Sequence, residues 1–112
     1  MRLYQIPLPI FHNDGSGAGN ARKRFLDRLL GYCGGYTLLP VANGAWQDPA
    51  TGKVYREPVE PVQFAYDAAT LPACTFAAIL QSFQDCYPDQ ICAMVADLGE
   101  VTFHTFKQEE TV

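Results

Sequence analysis

One stretch limits the fold more than any other: Tyr36 to Tyr66, YTLLPVANGAWQDPATGKVYREPVEPVQFAY. Its repeat Glu57-Pro58-Val59-Glu60-Pro61-Val62 must be extended. Proline is excluded from a helix interior and pushes the residue before it out of the helical region. Val62, Phe64 and Tyr66 then alternate with Gln63 and Ala65, the period of a strand with one buried face. Upstream, Tyr36 to Val41 is a strand candidate, Asn43-Gly44 marks a turn or bulge, and Asp48-Pro49-Ala50-Thr51-Gly52 reads as a turn with Pro and Gly in suitable places. Trp46 and Tyr55 flank that turn, so the spacing predicts an aromatic pair facing each other across a short hairpin. The stretch is two strands joined by a long arm.

The flanks carry helices. Arg2 to Phe11 is rich in branched and aromatic residues and predicts a strand, with its two prolines at an edge or exit. The loop from His12 to Asn20 follows, with Asn20 placed as an N-cap. From Ala21 to Leu30 the apolar residues Phe25, Leu26, Leu29 and Leu30 recur at helical spacing, and Gly31 with Gly34-Gly35 ends the segment. Thr70 is placed to cap a second helix, Pro72 in its first turn, with Phe76, Ile79, Leu80, Phe83 and Tyr87 on the inner side and Tyr87-Pro88 as the stop. Ile91 to Val95 predicts a short buried strand, Asp97-Leu98-Gly99-Glu100 a turn, and Val101 to Phe106 a last strand.

The order is β-α-β-β-α-β, an α+β, ferredoxin-like arrangement with an antiparallel sheet, two helices on one face and a long arm between the second and third strands. The expectation is one domain over residues 1–106, with a frayed tail at 107–112.

At 112 residues, 48% of them hydrophobic, the chain buries enough surface to fold without disulfide or metal. Its 18% charged residues leave room for an apolar surface used in self-association, and the open sheet face predicts a homodimer. A formal charge of −4 repels phosphate backbones, so nucleic acid is disfavoured as a partner. The four cysteines form no C-x-x-C pair, and no apolar run is long enough for a bilayer or follows Met1-Arg2 as in a signal peptide. The expected compartment is the cytoplasm, with reduced cysteines.

Two places could hold something. The loop carrying Gly15, Ser16, Gly17 and Gly19 precedes a helix N-terminus, with Arg22 and Lys23 in the first turn. Exposed amides and the helix dipole there favour an anion, although the spacing is neither G-x-G-x-x-G nor a Walker loop. A mobile surface loop is the competing reading. The arm offers Trp46, Tyr55, Arg56 and Glu57 as a partner contact, against packing of Trp46 on the sheet edge. His12 and His104 stand at opposite ends of the chain without the spacing of a zinc site, and no nucleophile-elbow context surrounds Ser16 or Ser82. No metal, cofactor or catalytic residue is expected.

Gly35-Tyr36-Thr37, Gly44-Ala45-Trp46, Gly52, Glu57 and the closing Val101-Thr102-Phe103 resemble the pattern G-[FY]-T…G-x-W…G…E of a family of small bacterial α+β proteins. The resemblance covers Gly35 onward and departs from many members in the missing secretion signal. It implies the ferredoxin-like fold and no activity. The function expected is therefore a non-enzymatic binding or regulatory protein working through protein contacts, such as a phage or mobile-element accessory protein that blocks a host factor. The alternatives are a sensor of an anionic ligand or nucleotide at the glycine loop, and a small enzyme of unassigned reaction.

Overall fold

The computed structural model describes residues 1–90, 93–104 and 106. Its elements follow in the order β1 (Arg2–Pro9), α1 (Gly19–Cys33), β2 (Thr37–Leu38), β3 (Ala42–Gln47), β4 (Val54–Tyr66), α2 (Thr75–Cys86) and β5 (Ala96–Glu100). The sheet is antiparallel throughout in the order β2-β4-β1-β5, with β3 also paired to β4. This is the expected ferredoxin-like α+β fold.

The proline repeat lies inside β4 and is extended, and it explains how the neighbouring strand is broken. β2 pairs as Leu38↔Val62 and β3 resumes as Ala42↔Val59, so three residues, 39–41, face two, Glu60 and Pro61. That is a bulge. Leu39 N–H donates to Pro61 O at 2.9 Å, so the donor that Pro61 lacks would have pointed at this same interrupted neighbour. The strand expected over Tyr36 to Val41 is thereby cut to two residues, and Asn43-Gly44 lies within β3 instead of forming a turn. Asp48–Gly52 does form one, closed by Gly52 N–H to Asp48 O at 2.8 Å with Gly52 at φ 72°.

On the even-numbered face of β1 and β4, Ile6, Leu8, Val62 and Phe64 meet Phe25, Leu26 and Leu29 of α1 and Ile79, Phe83 and Cys86 of α2. Phe25 and Phe83 meet edge to face at 5.7 Å, and Tyr87, fully buried, closes the end of this layer. Burial pushes the Tyr87 phenol up, so it stays neutral. Among the described residues no helix covers the opposite face, with Leu3, Gln5, Gln63 and Ala65.

Several boundaries are corrected. α1 begins at Gly19 with Ala18 at the N-cap and no side-chain cap, so Asn20 is inside the helix. It runs through Gly31 to a left-handed closure at Gly34, φ 78°. Leu30, placed by periodicity on the inner side, is exposed, because the stripe drifts around a helix of this length. α2 starts five residues after Thr70. The Asp67 carbonyl accepts from the amides of Thr70 and Leu71 and its carboxylate from Ala69 N–H, which commits that segment to a turn.

The largest correction is at the C-terminal end. Asp97–Glu100, read as a turn, belongs to the strand β5 (Ala96–Glu100), while 93–95 and 101–104 carry no strand. Ile91, Cys92, Thr105 and the tail 107–112 lie outside the described residues. The turn signal at Asp97-Leu98-Gly99 is real chemistry used within a strand. Gly99 at φ 98° makes a bulge opposite Leu3, and its amide donates to the Asp97 carboxylate at 2.9 Å. Arg2 Nε also donates to that carboxylate at 3.0 Å, holding the Asp97 carboxyl below its usual range.

The two apolar leucine and phenylalanine positions of α1 should separate cleanly in urea unfolding. Phe25→Ala, at a fully buried site, should cost about 3–5 kcal/mol. Leu30→Ala, at an exposed one, should stay within about 0.5 kcal/mol. Similar losses at both would mean that α1 is rotated from this packing.

Candidate functional site

The glycine loop folds back on itself. Phe11 and Gly17 form an antiparallel bridge, His12 N–H donates to Ser16 O at 2.7 Å, Gly15 N–H to His12 O at 2.9 Å, and Ala18 N–H to Ile10 O at 2.9 Å. Ser16 gives both its amide and its hydroxyl to the Asp14 carboxylate. These hydrogen bonds lower the Asp14 carboxyl. The amides of Gly15, Ser16 and Ala18 are taken up within the loop, and a carboxylate of the chain already occupies both donors of Ser16. Arg22 turns to Glu60 at 3.3 Å, while Lys23 is exposed. Gly17 and Gly19 have open space where a side chain would be.

What sequence reasoning missed here is Asp89. From the end of α2 it accepts Asn13 N–H at 2.7 Å, its own carbonyl accepts Asn13 Nδ2 at 2.8 Å, and His12 Nδ1 lies 3.3 Å from Oδ1. Gln90 adds a bond to Asn13 Oδ1 at 3.2 Å. Burial raises the Asp89 carboxyl, but the Asn13 amide and the His12 ring outweigh it, so it sits below the usual carboxylate range. The loop is a buckle between β1 and α2, tied by residues 76 and 77 positions apart, and no local pattern announces that.

The arm gathers a different group. Trp46 and Tyr55 are cross-strand partners, stacked at 4.6 Å and 14°, with Lys53 Nζ 4.8 Å from the Tyr55 ring centre, a cation–π contact. Both rings are exposed, Trp46 at 47%, so Trp46 is not packed into the sheet. Side chains of antiparallel partners share a face and alternate along the strand. Trp46, Tyr55 and Glu57 therefore share one face, and Arg56, opposite Ala45, lies on the other. Glu57 faces Gly44, where an added Cβ would sit 3.4 Å from the Glu57 carbonyl oxygen; glycine keeps a hollow there.

The same alternation carries the arm's aromatic face down β4 to Val59, Pro61, Gln63 and Ala65. That is the uncovered side of the sheet. Across from these residues lie Pro9, Pro7, Gln5 and Leu3, and the only side-chain hydrogen bond joining β1 and β4 on this face is Gln63 Nε2 to Gln5 Oε1 at 2.9 Å. Arm and open face lie on one side of the sheet; between them Pro9 and Pro61 are buried, while Leu3, Gln5, Pro7, Val59, Gln63 and Ala65 are partly exposed.

His12 is engaged by Asp89, and His104 is exposed beyond β5. Among the described residues no three His, Cys, Asp or Glu side chains gather as metal ligands. Among the described residues Cys33, Cys74 and Cys86 form no disulfide, and no described helix is long and apolar enough to cross a membrane.

The Asp89 buckle makes a pH prediction. A carboxyl with a lowered folded pKa contributes stability above its unfolded value and loses it as pH falls through the folded value, here below about pH 4. Amide exchange at Asn13, corrected for its intrinsic rate, should accelerate in that range, and Asp89→Ala should cost about 1–3 kcal/mol. Protection at Asn13 that survives Asp89→Ala would remove the buckle.

No protein-family model and no curated protein matches the chain. Solved structures do. CutA1 from Oryza sativa superposes with a TM-score of 0.63 at 11% identity, over 92% of this chain and 82% of that one. CutA from Synechococcus elongatus PCC7942 gives 0.55 at 12% identity, over 89% and 78%. The chain thus has the small α+β fold that these proteins share, and at such identities the likeness extends to the fold alone.

Proposed function

We propose that this is a non-enzymatic binding protein that acts through protein–protein contacts, self-associating through its open sheet face and presenting the arm to a partner. The observation that carries it is that the Trp46–Tyr55 stack lies on the same side of β4 as the open sheet face. Stacked, half-exposed aromatics on a rigid hairpin are the anchors that protein interfaces favour. Val41, Trp46, Val54 and Tyr55 are all exposed on this hairpin, more apolar surface than a freely solvated arm needs. The exposed thiol of Cys74 suits a reducing cytoplasm. A regulatory accessory protein of a phage or mobile element, blocking a host factor with its arm, would act in this way. Anion sensing at the glycine loop ranks below this reading, because Ser16 gives both its donors to Asp14 and Arg22 is paired with Glu60.

The test uses two variants on the two ends of the surface. Gln5→Arg places a charge in the middle of the open face and should shift the chain to monomer in light scattering after size exclusion. Trp46→Ala should leave stability within about 1 kcal/mol, since the ring is exposed, while abolishing partner capture in cross-linking of cell extracts. A monomeric wild type, or an oligomer untouched by Gln5→Arg, would take the sheet face out of the proposal. Loss of stability well beyond that bound would make Trp46 a structural residue.

A further inference from the structure

Far from the arm tip, a cleft of about 660 Å³ opens between the end of α1, the start of β2, the end of β4 and the segment after β5. Its size is that of a site for a small organic molecule. Leu3, Ala65, Leu71, Val101 and Phe103 supply apolar lining, and Phe103 is 68% exposed at the mouth, a ring free to lie against a ligand.

Two independent features give the cleft a negative character. Cys33, Gly34 and Gly35 belong to its lining, so the carbonyl end of α1 opens into it. Gly34 closes only onto Leu30 O, at 2.8 Å, and the last turn holds no basic residue. The negative end of the helix dipole is therefore uncompensated. The second feature is Asp67, among the described residues the one Asp, Glu, Lys or Arg in the lining. One carboxylate oxygen accepts Ala69 N–H at 3.0 Å; the other has no hydrogen bond among the described residues. Met1 also lines the cleft, but it is exposed, and water and salt screen its α-amino charge.

We propose that this cleft binds a small organic amine, an ammonium group carried on an apolar or aromatic body. The ammonium lies between Asp67 and the carbonyl end of α1, and the body lies along Leu3, Ala65 and Phe103, with the face of Phe103 adding cation–π attraction. A metal ion suits the donors less well. They offer one carboxylate, and burial pushes the Cys33 thiol up, which keeps it protonated and a poor ligand.

The probe is phenethylamine, titrated into nitrogen-15-labelled protein while the amide signals of Gly34, Gly35, Ala65 and Thr102 are followed. Phenethyl alcohol and phenylacetate serve as neutral and anionic controls of the same shape. The amine should move these signals and phenylacetate should not. Asp67→Asn keeps the oxygen that holds Ala69 and should weaken the amine about tenfold. Gly35→Arg, at a glycine with open space around its Cβ position, should fold normally and block the amine with a resident cation. Silence of these amides, equal affinity for amine and alcohol, or undiminished amine binding in either variant overturns the proposal.

Discussion

The architecture depends on the hydrogen-bond donor that Pro61 withholds from β4. A thirteen-residue strand offers backbone donors on both sides, and a fully paired one would bind an unbroken neighbour along its whole length. Pro61 has no donor to give on the side of β2 and β3, and it is there that the neighbour slips by one residue. The slip lets the short β2 finish the sheet while β3 leaves with the far half of β4 as an arm. Pro7 and Pro9 repeat the device on β1. Ile10 N–H turns toward β4, so by alternation the odd residues of β1 face the β5 side, and β5 reaches no further than Gln5. Among the described residues, the missing donors fall where strand pairing is interrupted or has ended.

The same strand divides the molecule into a closed side and an open one. Val62 and Phe64 point into the helical layer, and Gln63 and Ala65 point away from it. The Gln5–Gln63 pair lets a polar couple sit in a mostly apolar face with its amides partly satisfied by each other. Such a face is compatible with water in a free chain and with burial in an assembly. A leucine pair at these two positions would commit it to burial alone.

Much of this was legible along the chain and little of it across the chain. The extended proline repeat, the Asp48–Gly52 turn, the Trp46–Tyr55 pairing and the amphipathic faces of both helices follow from residues within a few positions of one another, where proline, glycine and periodicity act directly. The overall order of elements followed from those. The start of α2 was misplaced because Asp67 captures a turn that Thr70 alone would not reveal. β5 was misread because Asp97 and Gly99 carry turn chemistry, and only pairing with Arg2 and Tyr4 makes a bulged strand of it. The glycine loop shows the same limit in functional terms. Its composition suits an anion cradle, but Asp89, brought in from the far end of α2, uses it as a fastening. Within the arm, alternation was enough to separate Arg56 from Trp46, Tyr55 and Glu57, once the register was known.

Both bulges bear on the end of the sheet remote from the arm tip. The Gly99 bulge sits opposite Leu3, and the chain beyond it returns to bond Met1 O through Val101 N–H at 3.0 Å, which brings Val101 and Phe103 beside Leu3. On the other edge, the slip after Leu38 ends β2 at two residues, so the end of α1 and Tyr36 stand next to β4 with little strand to cover them. A regular sheet would have filled this region with paired backbone. Irregular pairing next to a concavity is a common setting for binding sites, and here each irregularity has a sequence cause, Pro61 on one edge and Gly99 on the other. A shared fold at 11% identity would preserve the layers without preserving those two residues, so whatever this chain binds is better sought where Pro61 and Gly99 disturb the sheet than in the layers themselves.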